Sequence, residues 1–577
     1  MTGARLCLAL TLALGGCGGS GASEDAGSDA ATFPDAGRDA SPSDTGPAMD
    51  GATMDATTMD ATTMDGAAPD AGPEPFLPPG DPGAGDVRFD ISSARGVHAI
   101  SPWIYGDNQV DVGNTHGVTA TRLGGNRWTA YNWETNASNA GSDYLYQNDT
   151  YLGGGAEPGG AVRQRVEQAH AAGLATLVTV PIAGYVAADT SGPTDSGGAD
   201  LATRFLPSQP AKGAAFAASP NLSDGVVYQD EFVDWARRTL LPTGTVLWSL
   251  DNEPDLWSST HSEIHPAAVT YAELADRSVR YATAIKAVVP VGLVLGPVNY
   301  GWAGMVNLQG APDAMGRDFI ASWLDAMHAA ETTAGHRLID ALDLHWYSEA
   351  TGGGARITDE GTGAAETAAR VQAPRSLWDP DYVESSWITD CCGLGAIRLI
   401  PRMKETIAAH YPGTRLSLSE YSYGGSGDIS GGVAEADALG VFGREDLLFA
   451  TWWQMASERQ FVDAAFEMYR DFDGAGATFG DTSIEATSSD VPTASVYASV
   501  DAGSPGRMVL VAINRATTAK HAAIAIEYTR AFTHARVFRL TSATAHPVAD
   551  TDVTLAETNA FGLDLPPRSV TTIELLP

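Results

Sequence analysis

Two glutamates close apolar runs that lie far apart in the chain. The first ends Val246-Leu247-Trp248-Ser249-Leu250-Asp251-Asn252-Glu253-Pro254. The second ends Leu416-Ser417-Leu418-Ser419-Glu420-Tyr421 and opens into Gly424-Gly425-Ser426-Gly427. Both runs read as buried strands. A charged side chain at the end of a buried strand is costly unless it is paired or used. Two carboxyl groups brought to one place suit the cleavage of a glycosidic bond. One protonates the leaving oxygen and the other acts at the anomeric carbon. A gap of about 5–5.5 Å gives direct attack and retention, and about 6.5–9.5 Å leaves room for water and inversion.

The neighbours divide the roles. Asn252, beside Glu253, can hydrogen-bond a sugar 2-hydroxyl, a contact that strengthens in the transition state. Tyr421 and Tyr423 flank Glu420 and could hold it ionised through their hydroxyls. Glu253 is thus the candidate acid/base and Glu420 the candidate nucleophile. Arg122 could orient Glu420 by a charge-assisted hydrogen bond, or serve only as a structural ion pair. His345 and Tyr347 could touch the nucleophile or sugar hydroxyls, against a structural histidine. Trp452 or Trp453 could floor the cleavage point, one of the pair pointing elsewhere in a regular strand. Trp133 and Trp257 could stack on outer sugars or fill loop cores. Glu134, Asp143 and Asp149 could hold a structural Ca²⁺ or simply brace loops; no cofactor is otherwise required and the metal is left unknown.

The elements that must position these groups alternate. Strand signals fall at 104–106, 120–124, 175–180, 246–250, 293–296, 341–346, 416–419 and 448–452. Helical runs lie between many of them: 162–172, 229–241, 267–288, 317–330, 402–410 and 435–443. Near-continuous apolar strands alternating with helices imply a parallel sheet, and eight units imply a (β/α)₈ TIM barrel over 101–489. Glu253 then ends strand four and Glu420 ends strand seven, on one mouth. Short β runs at 495–500, 508–513, 522–528, 535–540 and 570–575 form a small antiparallel β-sandwich over 490–577, which 84–100 joins through Val87-Arg88-Phe89-Asp90-Ile91.

Segment 1–17 carries Arg5, an apolar run from Leu6 to Leu14 and then Gly15-Gly16-Cys17. It reads as a lipoprotein-type signal peptide with Cys17 as the lipidated residue, against ordinary secretion. Residues 18–83 are an acidic Ala/Asp/Thr/Pro linker, with Met54-Asp55-Ala56-Thr57-Thr58 repeated at 59–63. The expectation is a bacterial secreted or cell-surface lipoprotein, monomeric, meeting a membrane only through the anchor. The net charge of −37 excludes nucleic acid as a partner, because phosphates would repel it. The 13 Trp and 18 Tyr provide ample flat surface for sugar rings. Only Cys391 and Cys392 follow Cys17, either a vicinal disulfide or two loop thiols.

Several long motifs resemble glycoside hydrolase family 44. They are Arg122-Leu123-Gly124-Gly125-Asn126-Arg127, the run 131–143, Leu250 to Trp257, Leu342 to Tyr347, the run 371–380, and Ser419-Glu420-Tyr421 with Tyr423-Gly424-Gly425. The resemblance runs from about residue 85 to the C-terminus. It implies a retaining endo-β-1,4-glucanase, often active on xyloglucan, with a barrel and an attached sandwich. It places the acid/base on Glu253 and the nucleophile on Glu420, and it adds Asn126 to the sugar-binding set. Ser422 stands where the family pattern has an acidic residue. The alternatives are a xylanase or mannanase on the same strand plan, or a non-catalytic glucan-binding surface lipoprotein.

Overall fold

The computed structural model describes residues 75–577 other than residue 393, and the side chains of Cys391 and Cys392 are not among them. The segment 1–17 with Cys17, the linker as far as residue 74, and the state of Cys391 and Cys392 lie outside the described residues.

Eight parallel strands close into a barrel in sequence order. They are Gly106–Asp107, Ala120–Leu123, Ala175–Val180, Val246–Leu250, Val294–Asn299, Ala341–Tyr347, Arg415–Ser422 and Phe449–Trp452, numbered here as barrel strands 1 to 8. All eight expected strands are present. Strand 1 starts later than its apolar signal, because Ile104 belongs to a 3-10 turn at Pro102–Ile104. A helix at Gln460–Arg470 follows strand 8 and was not foreseen. Ala120, Leu177, Leu247, Leu295, Ala341 and Phe449 fill the bottom of the barrel. Two residues further along, the same strands bury Arg122, Thr179, Ser249, Pro297, Asp343 and Thr451. Side chains alternate along a strand, so these positions share the inward face. The interior therefore turns from apolar to polar toward the C-terminal ends of the strands, where the catalytic groups of such barrels lie.

The second sheet holds eleven strands and wraps on itself around a separate core of Phe89, Ile91, Met508, Leu510, Ile524 and Ile573. It departs from the sequence expectation in three ways. Val87–Ser92 pairs parallel with Lys520–Glu527, so the sheet is not wholly antiparallel. Thr482–Ser488, within the span expected to be barrel, pairs with Ala494–Asp501 in this sheet. The chain also joins before residue 84: Leu77 N donates to Tyr528 O at 2.8 Å and Gly80 N to Thr558 O at 2.7 Å. These are backbone pairings, which composition does not reveal.

One strand explains how the two parts join. In Ser504–Asn514, Met508, Leu510 and Ala512 face the sandwich core, whereas Val509, Val511 and Ile513 pack with the barrel core. A strand apolar on both faces needs cover on both. The cover on the barrel side includes the helix Ile429–Arg444, buried from Ile429 through Gly443 and capped where Asp428 accepts from Ser430 N at 2.9 Å. Asp437 of that helix meets Arg515 at 2.6 Å, both side chains fully buried.

Candidate active site

Barrel strands 2, 4, 6 and 7 build the site. Glu253 follows strand 4 in a turn whose backbone is left-handed at Asp251 (φ +66°) and Glu253 (φ +43°). Such residues cost about 1–3 kcal/mol each unless the surroundings enforce them. Here Asp251 accepts from Ile182 N at 2.5 Å, Ala183 N at 3.0 Å and Asn252 N at 2.8 Å. Glu253 N donates to Val298 O at 3.0 Å. The turn is thus held on both sides.

Arg122 crosses the barrel interior with a fully buried side chain. Its Nη1 donates to Glu420 Oε1 at 2.5 Å and its Nη2 to Asn252 Oδ1 at 2.8 Å. The guanidinium passes so close to Gly124 that a Cβ there would lie 2.2 Å from Arg122 Cζ. Gly125 (φ +89°) donates its N–H to Asn252 Oδ1 at 3.2 Å, and a Cβ on it would stand 3.1 Å from the Trp453 ring. The two glycines of the Arg122–Arg127 motif therefore make room for the site.

Tyr347 donates to the other oxygen of Glu420, Oε2, at 2.6 Å. His345 Nδ1 lies 2.9 Å from Glu253 Oε1 and 3.5 Å from Glu420 Oε2. One atom from each of Glu253, His345 and Glu420 falls within 4.8 Å of the others. An oxygen of each carboxyl group thus meets the other at one mouth, within 4.8 Å. Among the described residues this trio is also the group that converges closely enough to share a cation. Arg122 already places a positive charge against Glu420 there.

The two glutamates sit in different surroundings. Burial pushes the Glu253 carboxyl up to about 7, with Asp143 adding to the rise and Arg122 opposing it. Glu420 accepts from a guanidinium and a phenol. Burial lowers His345 to about 3, so its ring is neutral beside both. With its proton on Nδ1, His345 donates to Glu253.

The structure assigns several candidates elsewhere. Tyr421 is fully buried and donates to Glu435 Oε1 at 2.6 Å, behind the strand. Tyr423 is buried as well. The hydroxyl and guanidinium on Glu420 thus come from Tyr347 and Arg122, not from its chain neighbours, because residues 420 and 421 face opposite sides of strand 7. Trp452 is buried with Arg459 5.0 Å over its ring, whereas Trp453 is half-buried at the mouth beside Gly125. Trp133 packs with Phe232 and Trp235 and donates to Tyr228 O at 3.2 Å, and Trp257 is fully buried, so both are loop core. Asn126 lies on the loop after strand 2, its amide donating to Asp143 at 2.7 Å. The proposed Ca²⁺ carboxylates do not act together. Asp143 pairs with Asn126, Asp149 with Arg127 at 2.7 Å, and Glu134 is buried beside Asp224, Glu231 and Lys212.

Two buried acids were not foreseen. Burial pushes Asp343, which accepts from Ser419 N at 3.0 Å, up to about 6. Burial, reinforced by Glu253, pushes Asp255 up to about 8. Asp343 is visible in the sequence as a lone charge within the apolar run 341–346.

A model described as glycoside hydrolase family 44 matches residues 137–350. Endoglucanase A of Paenibacillus lautus is 39% identical over 505 residues, covering 84% of this chain and 72% of that protein. The beta-mannanase/endoglucanase A of Caldicellulosiruptor saccharolyticus is 38% identical over 511 residues, 83% of this chain but 38% of that longer protein. A Paenibacillus polymyxa xyloglucanase from family 44, solved with xyloglucan, superposes with a TM-score of 0.81 at 39% identity, covering 85% of this chain and 99% of that one. Barrel, paired glutamates and relatives together define a glycoside hydrolase. Within that class, the chain belongs to glycoside hydrolase family 44.

Proposed function

We propose that the chain is a retaining endo-β-1,4-glucanase acting on cellulose-type chains and on xyloglucan. The observation that carries this reading is the meeting of Glu253 and Glu420 within 4.8 Å in unlike surroundings. Glu420 attacks the anomeric carbon while Glu253 gives its proton to the departing glycosidic oxygen. The resulting glycosyl ester on Glu420 is then opened by water, whose proton Glu253 takes, and the β configuration returns. Arg122 and Tyr347 aim the attacking carboxylate. Asn252 turns its carbonyl oxygen to Arg122 and Gly125, which leaves its amide N–H₂ as the group offered to a sugar 2-hydroxyl.

Endo action is supported by the rim. Tyr144 and Tyr151, on the loop after strand 2, are 48% and 73% exposed, and Trp387, on the loop after strand 6, is 44% exposed. Strands 2 and 6 lie on opposite sides of an eight-stranded barrel, so the loops that carry these rings leave from opposite sides of the mouth. Activity on mannan is the second reading, supported by the name of the Caldicellulosiruptor relative. Hydrolysis of β-glucan, xyloglucan, xylan and mannan, with the released anomer followed by NMR, tests the proposal. Internal cleavage of β-glucan or xyloglucan with β-anomer first supports it. Release of the α-anomer first, or turnover of mannan or xylan alone, overturns it.

A further inference from the structure

His261 and Glu263 lie on the loop after strand 4, and both side chains are fully buried. His261 Nδ1 is 2.7 Å from Glu263 Oε1, and its Nε2 is 2.8 Å from the backbone O of Asn126 on the loop after strand 2. The ring is wedged against Gly141 (φ +54°), where a Cβ would stand 2.9 Å from His261 Cε1. Both ring nitrogens thus face acceptors. A neutral imidazole has a single N–H and cannot serve both a carboxylate and a carbonyl; an imidazolium can.

The bond to Asn126 reaches the reacting centre in three contacts. Asn126 follows Gly125, Gly125 N donates to Asn252 Oδ1 at 3.2 Å, and the same oxygen takes Arg122 at 2.8 Å. We propose that His261 is a positioning residue: as an imidazolium paired with Glu263, it clamps the Gly124–Asn126 turn so that Asn252 is aimed at the sugar. This rests on the role given above to Asn252.

The charged groups facing the ring are Glu263 on its own loop and Asp251 at the end of strand 4; Asp143, on the loop after strand 2, is engaged by the Asn126 amide. Burial works against the imidazolium, but Glu263, the Asn126 carbonyl and Asp251 outweigh it and hold the ring above its usual 6.5. The clamp is therefore intact below that value and is released as pH rises through the raised one.

Nitrogen NMR on ring-labelled histidine in the wild-type full chain is the direct test, with His261 assigned by its loss in His261→Gln. Both ring nitrogens carrying protons at about pH 6.5 is the expected result, and a neutral ring overturns the proposal. This readout does not depend on any glycan being hydrolysed, so it separates failure of the clamp from failure of the proposed function. Kinetics add the consequence. Gln places an N–H near the Nε2 position and does not titrate, so His261→Gln keeps KM near wild type at low pH and abolishes its rise at high pH. Asn reaches only the Nδ1 position, so His261→Asn raises KM about tenfold at all pH values, the worth of one hydrogen bond. A pH-dependent KM that survives in His261→Gln also overturns the proposal.

Discussion

Arg122 and Glu420 stand 298 residues apart in sequence and meet at 2.5 Å inside the barrel. The same guanidinium spans to Asn252 at 2.8 Å, so one planar group sets the spacing between the residue aimed at the sugar and the proposed nucleophile. Lysine carries the charge but not the fork. Arg122→Lys should fold, because the buried positive charge is kept, yet lower kcat by about 100-fold through misaligned geometry. Steady-state kinetics beside a thermal unfolding curve check this; wild-type kcat would show that charge alone suffices.

The pH profile should carry the signature of Glu253. Its carboxyl is pushed up to about 7, chiefly by burial, so it is protonated below neutral pH and loses the proton as pH passes through about 7. A general acid must be protonated to work, so kcat/KM, which reports the free enzyme, should fall as pH rises through about 7. Glu253→Gln should remove that limb. It should slow oligosaccharides by about 1,000-fold or more, while aryl glycosides whose leaving group needs no proton lose far less in the first step. A limb that persists in the variant would assign it to another group.

Much of this site was legible because its residues obey strand arithmetic. Glu253 and Glu420 are charges at the ends of apolar runs, and counting strands put them on one mouth. Tyr421, Trp452 and Trp133 do not reach the mouth, for two different reasons. A strand turns neighbouring residues to opposite faces, and Tyr421 and Trp452 face outward to Glu435 and Arg459, so Trp452 is the one of the tryptophan pair that points away from the mouth. Trp133 went to its loop core, a tertiary choice no local pattern encodes. The strands before and after the barrel span, Val87–Ser92 and Thr482–Ser488, find each other only through the fold.

Glu435 behind strand 7 should govern stability rather than turnover. It accepts the Tyr421 hydroxyl at 2.6 Å, and burial pushes its carboxyl from 4.5 to about 8. The folded chain therefore keeps this proton over a range in which the unfolded chain has released it. By linkage, stability falls as pH rises from about 4.5 to about 8 on account of this group. Glu435→Gln retains an acceptor for Tyr421 and cannot ionise, so its denaturant midpoint should fall less with pH over that range than the wild type's, with the two chains closest at the acid end. Tyr421→Phe leaves the buried carboxyl without its donor and should cost about 1–3 kcal/mol. KM for glucan should hold in both variants, since neither side chain reaches the mouth. A change in KM without a change in stability would return Tyr421 to the substrate-binding set.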